Sequence, residues 1–291
     1  MKKVLVMLSS YNGEQYIREQ IDSIFKQENV SIDLFVRDDG STDNTVKVLK
    51  EYPKKIDIEV GENIGWKRSF MSMLYTVTQD YDYYAFADQD DVWLTNKIYT
   101  AINKIHSEDL PCLYYSMMTQ VDDNLEVMAE QQSLHYPIEK PMVLFQNFVQ
   151  GSTIVFNRKL LQAAQKYIIQ DPVPHDIWLP ILATYIGKVV FDESSYILYR
   201  IHSNNVTVGM KNKYWKNLIK SVFSKELVEN YAKYLMAGYR EELSVEDFKC
   251  VCDIADYRKH KMSLLFNKDI KKISFKGTVM LKMAIILGRV K

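Results

Sequence analysis

Two short stretches of the 291-residue chain concentrate carboxylates: Arg37-Asp38-Asp39-Gly40-Ser41-Thr42-Asp43 and Asp88-Gln89-Asp90-Asp91. Each follows an apolar run that reads as a buried strand, residues 32–36 and residues 83–87. In a parallel sheet both loops leave from the same edge, so six carboxylates would crowd one crevice. Such crowding is costly unless something positive neutralises it. Hard divalent cations take oxygen ligands, and Mg²⁺ is usually held by one or two carboxylates plus substrate phosphates. Mn²⁺ accepts the same ligands. Asp, Gly and Ser also make plain surface turns. That accounts for either stretch alone, whereas a metal–phosphate site accounts for both. No G-x-x-x-x-G-K-S/T and no G-x-G-x-x-G competes for a phosphate. The first strand–helix turn is instead Ser9-Ser10-Tyr11-Asn12-Gly13-Glu14, where Tyr11 is placed to stack on a nucleobase or to sit exposed in a turn.

The elements that must position these residues alternate. Strands are predicted at 3–8, 32–36, 56–60 and 83–87, with helices between them at 14–26, 43–50 and 65–78. In the first helix Ile17, Ile21, Ile24 and Phe25 share a face. This order predicts an α/β chain with a doubly wound parallel sheet and its site at the carboxyl ends of the strands. Further on, strands are predicted at 113–117, 151–156, 188–191 and 196–200, and helices at 158–167 and 177–185. From about residue 214 the pattern is helical to the end.

Composition narrows the function. Apolar residues make up 47% and charged residues 25%, enough for a real core. The 37 basic and 37 acidic residues cancel, which argues against a nucleic-acid binder relying on global positive charge. The neutral total hides an asymmetry. Residues 1–209 carry a net charge of −9 and residues 210–291 a net of +9. A module boundary is therefore expected near Gly209. Cys112, Cys250 and Cys252 are too few for a disulfide framework and fit a reducing cytosol. No apolar run approaches the roughly 20 residues that a bilayer span needs, and the run at 4–8 is too short for a signal-peptide core.

Ser10-Tyr11-Asn12-Gly13-Glu14, Asp38-Asp39-Gly40-Ser41-Thr42-Asp43, Asn63-Ile64-Gly65 and Asp88-Gln89-Asp90-Asp91-Val92-Trp93, in this order and spacing, resemble the family-2 glycosyltransferases. His175-Asp176-Ile177-Trp178 and Tyr199-Arg200-Ile201-His202-Ser203-Asn204-Asn205 resemble the branch of that family that includes bacterial rhamnosyltransferases. The resemblance covers residues 3–207. It implies a GT-A fold, with a Rossmann-like nucleotide-binding half in residues 1–209. It also implies an inverting, metal-dependent transfer from a nucleotide diphosphate sugar, with dTDP-L-rhamnose as the expected donor and UDP-hexoses as the alternative. The cofactor implied is Mn²⁺ or Mg²⁺, and the acceptor a glycan, lipid-linked, in cytoplasmic assembly of a cell-surface polysaccharide.

Residue by residue, the resemblance places Tyr11, Asp38, Asp39, Arg68 and Asp88 on the donor nucleotide. Trp66-Lys67-Arg68 departs from the commoner Ala-Arg-Asn ending. The resemblance makes Asp90 and His202 metal ligands, and sets Asp91, Gly151 and Trp178 at the donor sugar or acceptor. Asp176 becomes the catalytic base, oriented or tuned by His175. A single displacement needs one carboxylate near the acceptor hydroxyl. Asp176, after Pro174 and before an apolar run, also suits a helix N-cap. His135 sits in no motif and reads as structural.

The 210–291 region lies outside the resemblance. Residues 266–291 carry seven basic residues against Asp269 alone, interleaved with apolar ones. They read either as an interfacial helix on an anionic leaflet or as a helix packed on the chain with a solvated basic face. Residues 214–240 are expected in a helical hairpin or a homodimer contact. Two rivals stand beside the transferase reading. A sugar-phosphate nucleotidyltransferase should carry a Gly-rich, basic loop after the first strand, and residues 9–14 have one Gly and no base. A non-catalytic partner in glycan assembly would not need Asp90, Asp176 and His202 intact.

Overall fold

The computed structural model describes residues 1–129, 138–147, 149–202 and 228–288. The chain forms two compact units. The first comprises Met1–His135, Val149–Ala183 and Gly187–His202. The second comprises Tyr136–Phe148, Thr184–Ile186 and Ser203–Lys291.

The first unit opens with β1 (Lys2–Ser10), α1 (Ile17–Phe25), β2 (Val30–Asp38), α2 (Thr45–Lys50), β3 (Asp57–Val60), α3 (Trp66–Thr76) and β4 (Tyr83–Ala87). Val4, Leu5, Val6, Met7 and Leu8 of β1 are all buried, as a strand covered on both faces requires. Ile17, Ile21 and Ile24 recur at helical spacing on α1 and are fully buried in the same cluster as Val4, Val6 and Leu8. These strands pair in parallel in the order β3-β2-β1-β4. The register sets Ser10 beside Asp38 and Leu8 beside Ala87. The loops after β1, β2 and β4 therefore leave one edge of the sheet together.

The chain continues through β5 (Val92–Trp93), α4 (Lys97–Ile105), β6 (Cys112–Val121), β7 (Val127–Ala129), β8 (Val155–Asn157), α5 (Arg158–Lys166), α6 (His175–Ile186) and β9 (Lys188–Arg200). Here the expected parallel winding gives way to a mixed pattern. β8 runs antiparallel to both β4 and β6, β5 runs antiparallel to β9, and only β6 with β9 is parallel. The strand expected over 151–156 is shorter, because Gly151–Thr153 forms a 3₁₀ turn ahead of β8. The two strands expected at 188–191 and 196–200 are one. Between them Glu193 and Ser194 bulge out of the pairing, and side-chain bonds hold the bulge: Ser194 N–H donates to Asp192 Oδ1 (3.0 Å) and Thr119 Oγ1 donates to Ser195 Oγ (2.8 Å). Register shifts against Ser116, Met117 and Thr119 absorb the irregularity.

The second unit is helical. Its helices are Val228–Tyr239, Val245–Ala255, Lys261–Phe266 and Phe275–Ile286. Ser244 and Ser274 cap two of them, accepting from Asp247 N–H and Gly277 N–H. Leu235, Tyr239, Val251, Ile254, Tyr257, Leu264 and Ile285 are buried. Cys250 and Cys252 lie half-buried on Val245–Ala255. Among the described residues no helix is long and apolar enough to cross a membrane. The expectations at 214–227, at His135 and at Ser203-Asn204-Asn205 fall outside the described residues.

Candidate functional site

The sheet edge brings three loops together, and their side chains are spent mainly on one another. Asn12 N–H donates to Ser41 Oγ (2.8 Å), and Thr42 N–H donates back to Asn12 Oδ1 (2.8 Å). Gly13 N–H donates to Thr45 Oγ1 (2.8 Å), and Asn44 N–H to Glu14 Oε2 (2.8 Å). Asn12 sits at φ +48°, a left-handed conformation that Asn tolerates better than most residues. Asp43 joins the zip by accepting from Glu14 N–H and from both donors of Thr45. Burial raises its carboxyl, but these bonds outweigh it and hold the group below the usual carboxylate range.

Asp38 and Asp39 are the inner pins of this loop. Asp38 is fully buried and accepts from Ser10 Oγ (2.8 Å), Ser41 N–H (2.8 Å) and Ser41 Oγ (2.6 Å). Asp39, 2% exposed, pairs with Arg37 (2.5 Å) and accepts from Ile64 N–H (2.9 Å) and Gly65 N–H (2.8 Å). A carboxylate has about four acceptor positions, so each has filled three. Both carboxylates pin the loop that Tyr11 overlooks, and each keeps about one acceptor position for the expected contact with a nucleobase. Tyr11 itself is half exposed. Its backbone is clamped by Gln89, whose Oε1 accepts from Tyr11 N–H (2.8 Å) and whose Nε2 donates to Tyr11 O (3.0 Å). Gly13 leaves room for that amide, since a Cβ there would lie 2.2 Å from Gln89 Oε1. Arg68 projects exposed from α3.

The loop after β4 holds the acidic cluster. His202 Nε2 meets Asp90 Oδ2 at 2.8 Å, across 112 residues of sequence. The His202 ring stacks on Tyr16 at 5.1 Å between centroids. Tyr16 in turn donates to Asp123 Oδ1 (2.6 Å) and carries the Arg200 guanidinium 4.6 Å from its centroid. Burial and Asp123 push the Tyr16 phenol up to about 12. Buried Arg200 ties the loop down: its Nε donates to Asp90 O (2.9 Å) and its N–H to Asp91 Oδ1 (3.2 Å). Burial, then Asp90 and Asp176, push Asp88 up to about 7. Burial, then Asp90 and Asp88, raise Asp91 well above the carboxylate range. Beneath them Lys97 is fully buried with its Nζ 3.6 Å from the Trp93 ring centroid. Burial lowers Lys97 to about 7, with Asp91 opposing.

The start of α6 supplies the remaining group. Pro174 is the N-cap, and Asp176 lies in the first turn, so it is not the cap itself. An acidic side chain there is favoured by the helix dipole. Its electrostatic influence on Asp88 brings it to the same cluster. His175 is buried against Phe70 (4.2 Å) and Phe86 (4.3 Å), with the half-exposed Trp66 edge-on at 6.4 Å. Neither ring nitrogen makes a hydrogen bond. Burial lowers its pKa to about 3, so the ring is neutral. The expected orienting bond from His175 to Asp176 is therefore absent among the described residues, because the imidazole is taken up by an aromatic box. Gly151 serves the same box, since a Cβ there would lie 2.4 Å from His175 Nε2. The side chains that approach Gly151 closely are His175 and Asp176. Trp178, expected at the sugar, is fully buried in the core, and Asp91 is only 1% exposed.

The structure thus pairs Asp90 with His202, sets Asp88 within the electrostatic influence of Asp90 and Asp176, leaves Tyr11 and Arg68 exposed, and buries Asp38, Asp39, Asp91, Gly151, His175 and Trp178 wholly or nearly so. Tyr16, Gln89, Lys97 and the Arg200 side chain are contributors that the motif reading left without a role. Gln89 and Arg200 stand inside quoted motifs, which was their only signal. Among the described residues no three His, Cys, Asp or Glu side chains gather as a metal cluster. Asp90 and His202 offer two ligands. In this structure they are joined directly, at 2.8 Å, and an imidazole nitrogen with a carboxylate oxygen is a donor set that such cations accept. Mg²⁺ and Mn²⁺ habitually leave the other positions to phosphates and water. The pair fits such an ion.

Residues 5–169 match the family model described as Glycosyl transferase family 2. The chain is 29% identical over 246 residues to the dTDP-rhamnosyl transferase RfbG of Shigella flexneri, covering 78% of this chain and 84% of that protein. It is 25% identical over 262 residues to an uncharacterized glycosyltransferase of Nostoc, covering 83% and 79%. Staphylococcus aureus TarS 1–349 superposes with a TM-score of 0.58 at 15% identity, over 99% of this chain and 81% of that one. The mannosyltransferase PcManGT from Pyrobaculum calidifontis, in complex with GDP-Man and Mn²⁺, does so with 0.54 at 12%, over 99% and 75%. The fold is of the GT-A type, in the α/β class.

Proposed function

The chain belongs to glycosyl transferase family 2, and on that premise we propose that it moves a sugar from a nucleoside diphosphate to a glycan hydroxyl with inversion. The observation that carries this reading is the meeting of Asp90 with His202 at 2.8 Å beside Asp88 and Asp176. Two ligands for one cation and one carboxylate for one proton are what a single displacement on a diphosphate requires. The donor is dTDP-L-rhamnose, a reading supported by the likeness to the S. flexneri dTDP-rhamnosyl transferase. The acceptor is a glycan on a lipid carrier at the cytoplasmic face of the membrane.

In the mechanism, Tyr11 stacks on the base and Arg68 meets the base or the diphosphate. Asp88 accepts from the ribose. Asp90 and His202 would hold Mn²⁺ or Mg²⁺, which when bound would supply positive charge against the departing diphosphate. The acceptor oxygen attacks the anomeric carbon from the face opposite the diphosphate. Its proton passes to Asp176 as the carbon–oxygen bond to phosphate breaks. Phe70, Phe86 and Trp66 box in neutral His175, the residue before Asp176, and the half-exposed Trp66 offers a flat apolar surface for the sugar ring. Asp91, Arg200 and Lys97 hold the acidic loop in place.

Purified chain incubated with dTDP-L-rhamnose, Mn²⁺ and a lipid-linked glycan tests this directly. Wild type should release dTDP and glycosylate the acceptor, and Asp176→Asn should lower turnover by about 10²–10⁴-fold while dTDP still binds. Transfer from UDP-hexoses alone would keep the family chemistry and replace the donor. Undiminished turnover in Asp176→Asn would remove its role as base.

A further inference from the structure

The two helices nearest the C-terminal end, Lys261–Phe266 and Phe275–Ile286, pack against each other as a hairpin in the second unit. Lys261 Nζ donates to Ile286 O (2.9 Å), and Lys282 Nζ donates to Asn267 O (3.0 Å) and Leu265 O. Those lysines tie the hairpin together. On the longer helix Leu281, Ala284 and Ile285 are buried. The opposite face is apolar as well: Phe275, Val279, Met283 and Ile286 follow at four, four and three residues, and all are exposed. Met262 and Phe266 on the shorter helix are exposed as well, with Phe275 86% and Phe266 79% exposed. A helix apolar on both sides is not explained by packing within its own unit.

Charge says what this face is suited to. Residues 261–288 carry six lysines and one acid, Asp269, a net of +5. Lys268, Lys271, Lys272 and Lys276 cluster at the turn between the helices, next to Phe266 and Phe275. Lys271 reaches Glu139 at 3.4 Å, but both partners are about half exposed, where such a pair is weak. We propose that this hairpin docks on an anionic lipid surface, lying in the interface with Phe266, Phe275, Val279 and Met283 among the acyl chains and the lysine cluster among the headgroups. The exposed stripe runs about 16 Å at 1.5 Å per residue. That is too short to span a bilayer and long enough to lie along one. A second copy of the chain is the less suitable occupant, because a twofold contact on this face would set one net charge of +5 against another. The inference goes beyond the transfer chemistry and does not depend on it.

Flotation of the full chain with vesicles tests the proposal. Wild type should bind phosphatidylglycerol–phosphatidylcholine vesicles at least about tenfold better than phosphatidylcholine vesicles, and less as salt rises. Phe266→Ser with Phe275→Ser should lower binding to anionic vesicles by about tenfold or more. Lys268→Gln with Lys271→Gln and Lys272→Gln should lower it and flatten its salt dependence. Circular dichroism and dTDP binding by the same preparations report folding and the first unit separately. Unchanged vesicle binding in the Phe variant, or equal binding of wild type to both vesicle types, overturns the proposal. So does a concentration-dependent dimer, dissolved by the Phe substitutions, in a chain that floats with neither vesicle.

Discussion

At the residue scale the buried histidine beside the candidate base is the most unusual group. His175 has no hydrogen bond for either ring nitrogen and sits among Phe70, Phe86 and Trp66. Its folded pKa is lowered to about 3 from 6.5 by burial. The unfolded chain therefore binds a proton below about pH 6.5 that the folded chain refuses until about pH 3. Stability from this group is complete above pH 6.5 and is lost as pH falls through that window, at about 1.4 kcal/mol per pH unit. Urea denaturation of wild type and His175→Leu at pH 6.5 and 4.5 should show wild type losing roughly 2–3 kcal/mol more than the variant. Parallel losses would mean that the ring finds a partner or water in solution. The residue types at this place were legible in His175-Asp176. The role of the histidine was not, because the aromatic box comes from α3 and β4, about a hundred residues away.

The element scale explains why the motifs are long. Ser10 to Glu14 and Asp38 to Thr45 are two loops zipped edge to edge, so most of their polar residues answer to each other. Asp38→Ala would strand the buried Ser10 hydroxyl and the part-buried Ser41 N–H, at a cost of about 1–3 kcal/mol. Chemical denaturation should show that loss together with weaker nucleotide binding. A change below about 0.5 kcal/mol would contradict the pinning role. The strands β1 and β4 were readable from continuous apolar runs, β3 from alternation, and α1 from its isoleucine spacing. α4 was legible too, since Ile98, Ala101, Ile102 and Ile105 recur at helical spacing, but its first residue, Lys97, is buried against Trp93 where a solvated lysine is expected. β5 is two residues long, and β9 crosses a polar stretch that reads as a turn because it bulges there, held by side-chain bonds. The mixed half of the sheet was not legible, since short strands such as β8 carry no mark of direction.

On the scale of the whole molecule, the net charges of −9 over residues 1–209 and +9 over residues 210–291 separate two tasks. The acidic region carries a cluster that a divalent cation would neutralise, and the basic region carries an apolar hairpin ringed by lysines. A ligand that binds only the folded chain stabilises it, by about 2.7 kcal/mol at a hundredfold excess over Kd. Occupancy of the acidic cluster is therefore visible in the melting of the protein. The central claim is that Asp90 and His202 form a cation site for a nucleoside diphosphate, and calorimetric titration of dTDP tests it most directly. Wild type should bind with Mn²⁺ or Mg²⁺ and lose that binding in EDTA, and Asp90→Asn should lose it under both conditions. Binding by Asp90→Asn as tight as by wild type, or binding by wild type indifferent to metal, would contradict the account.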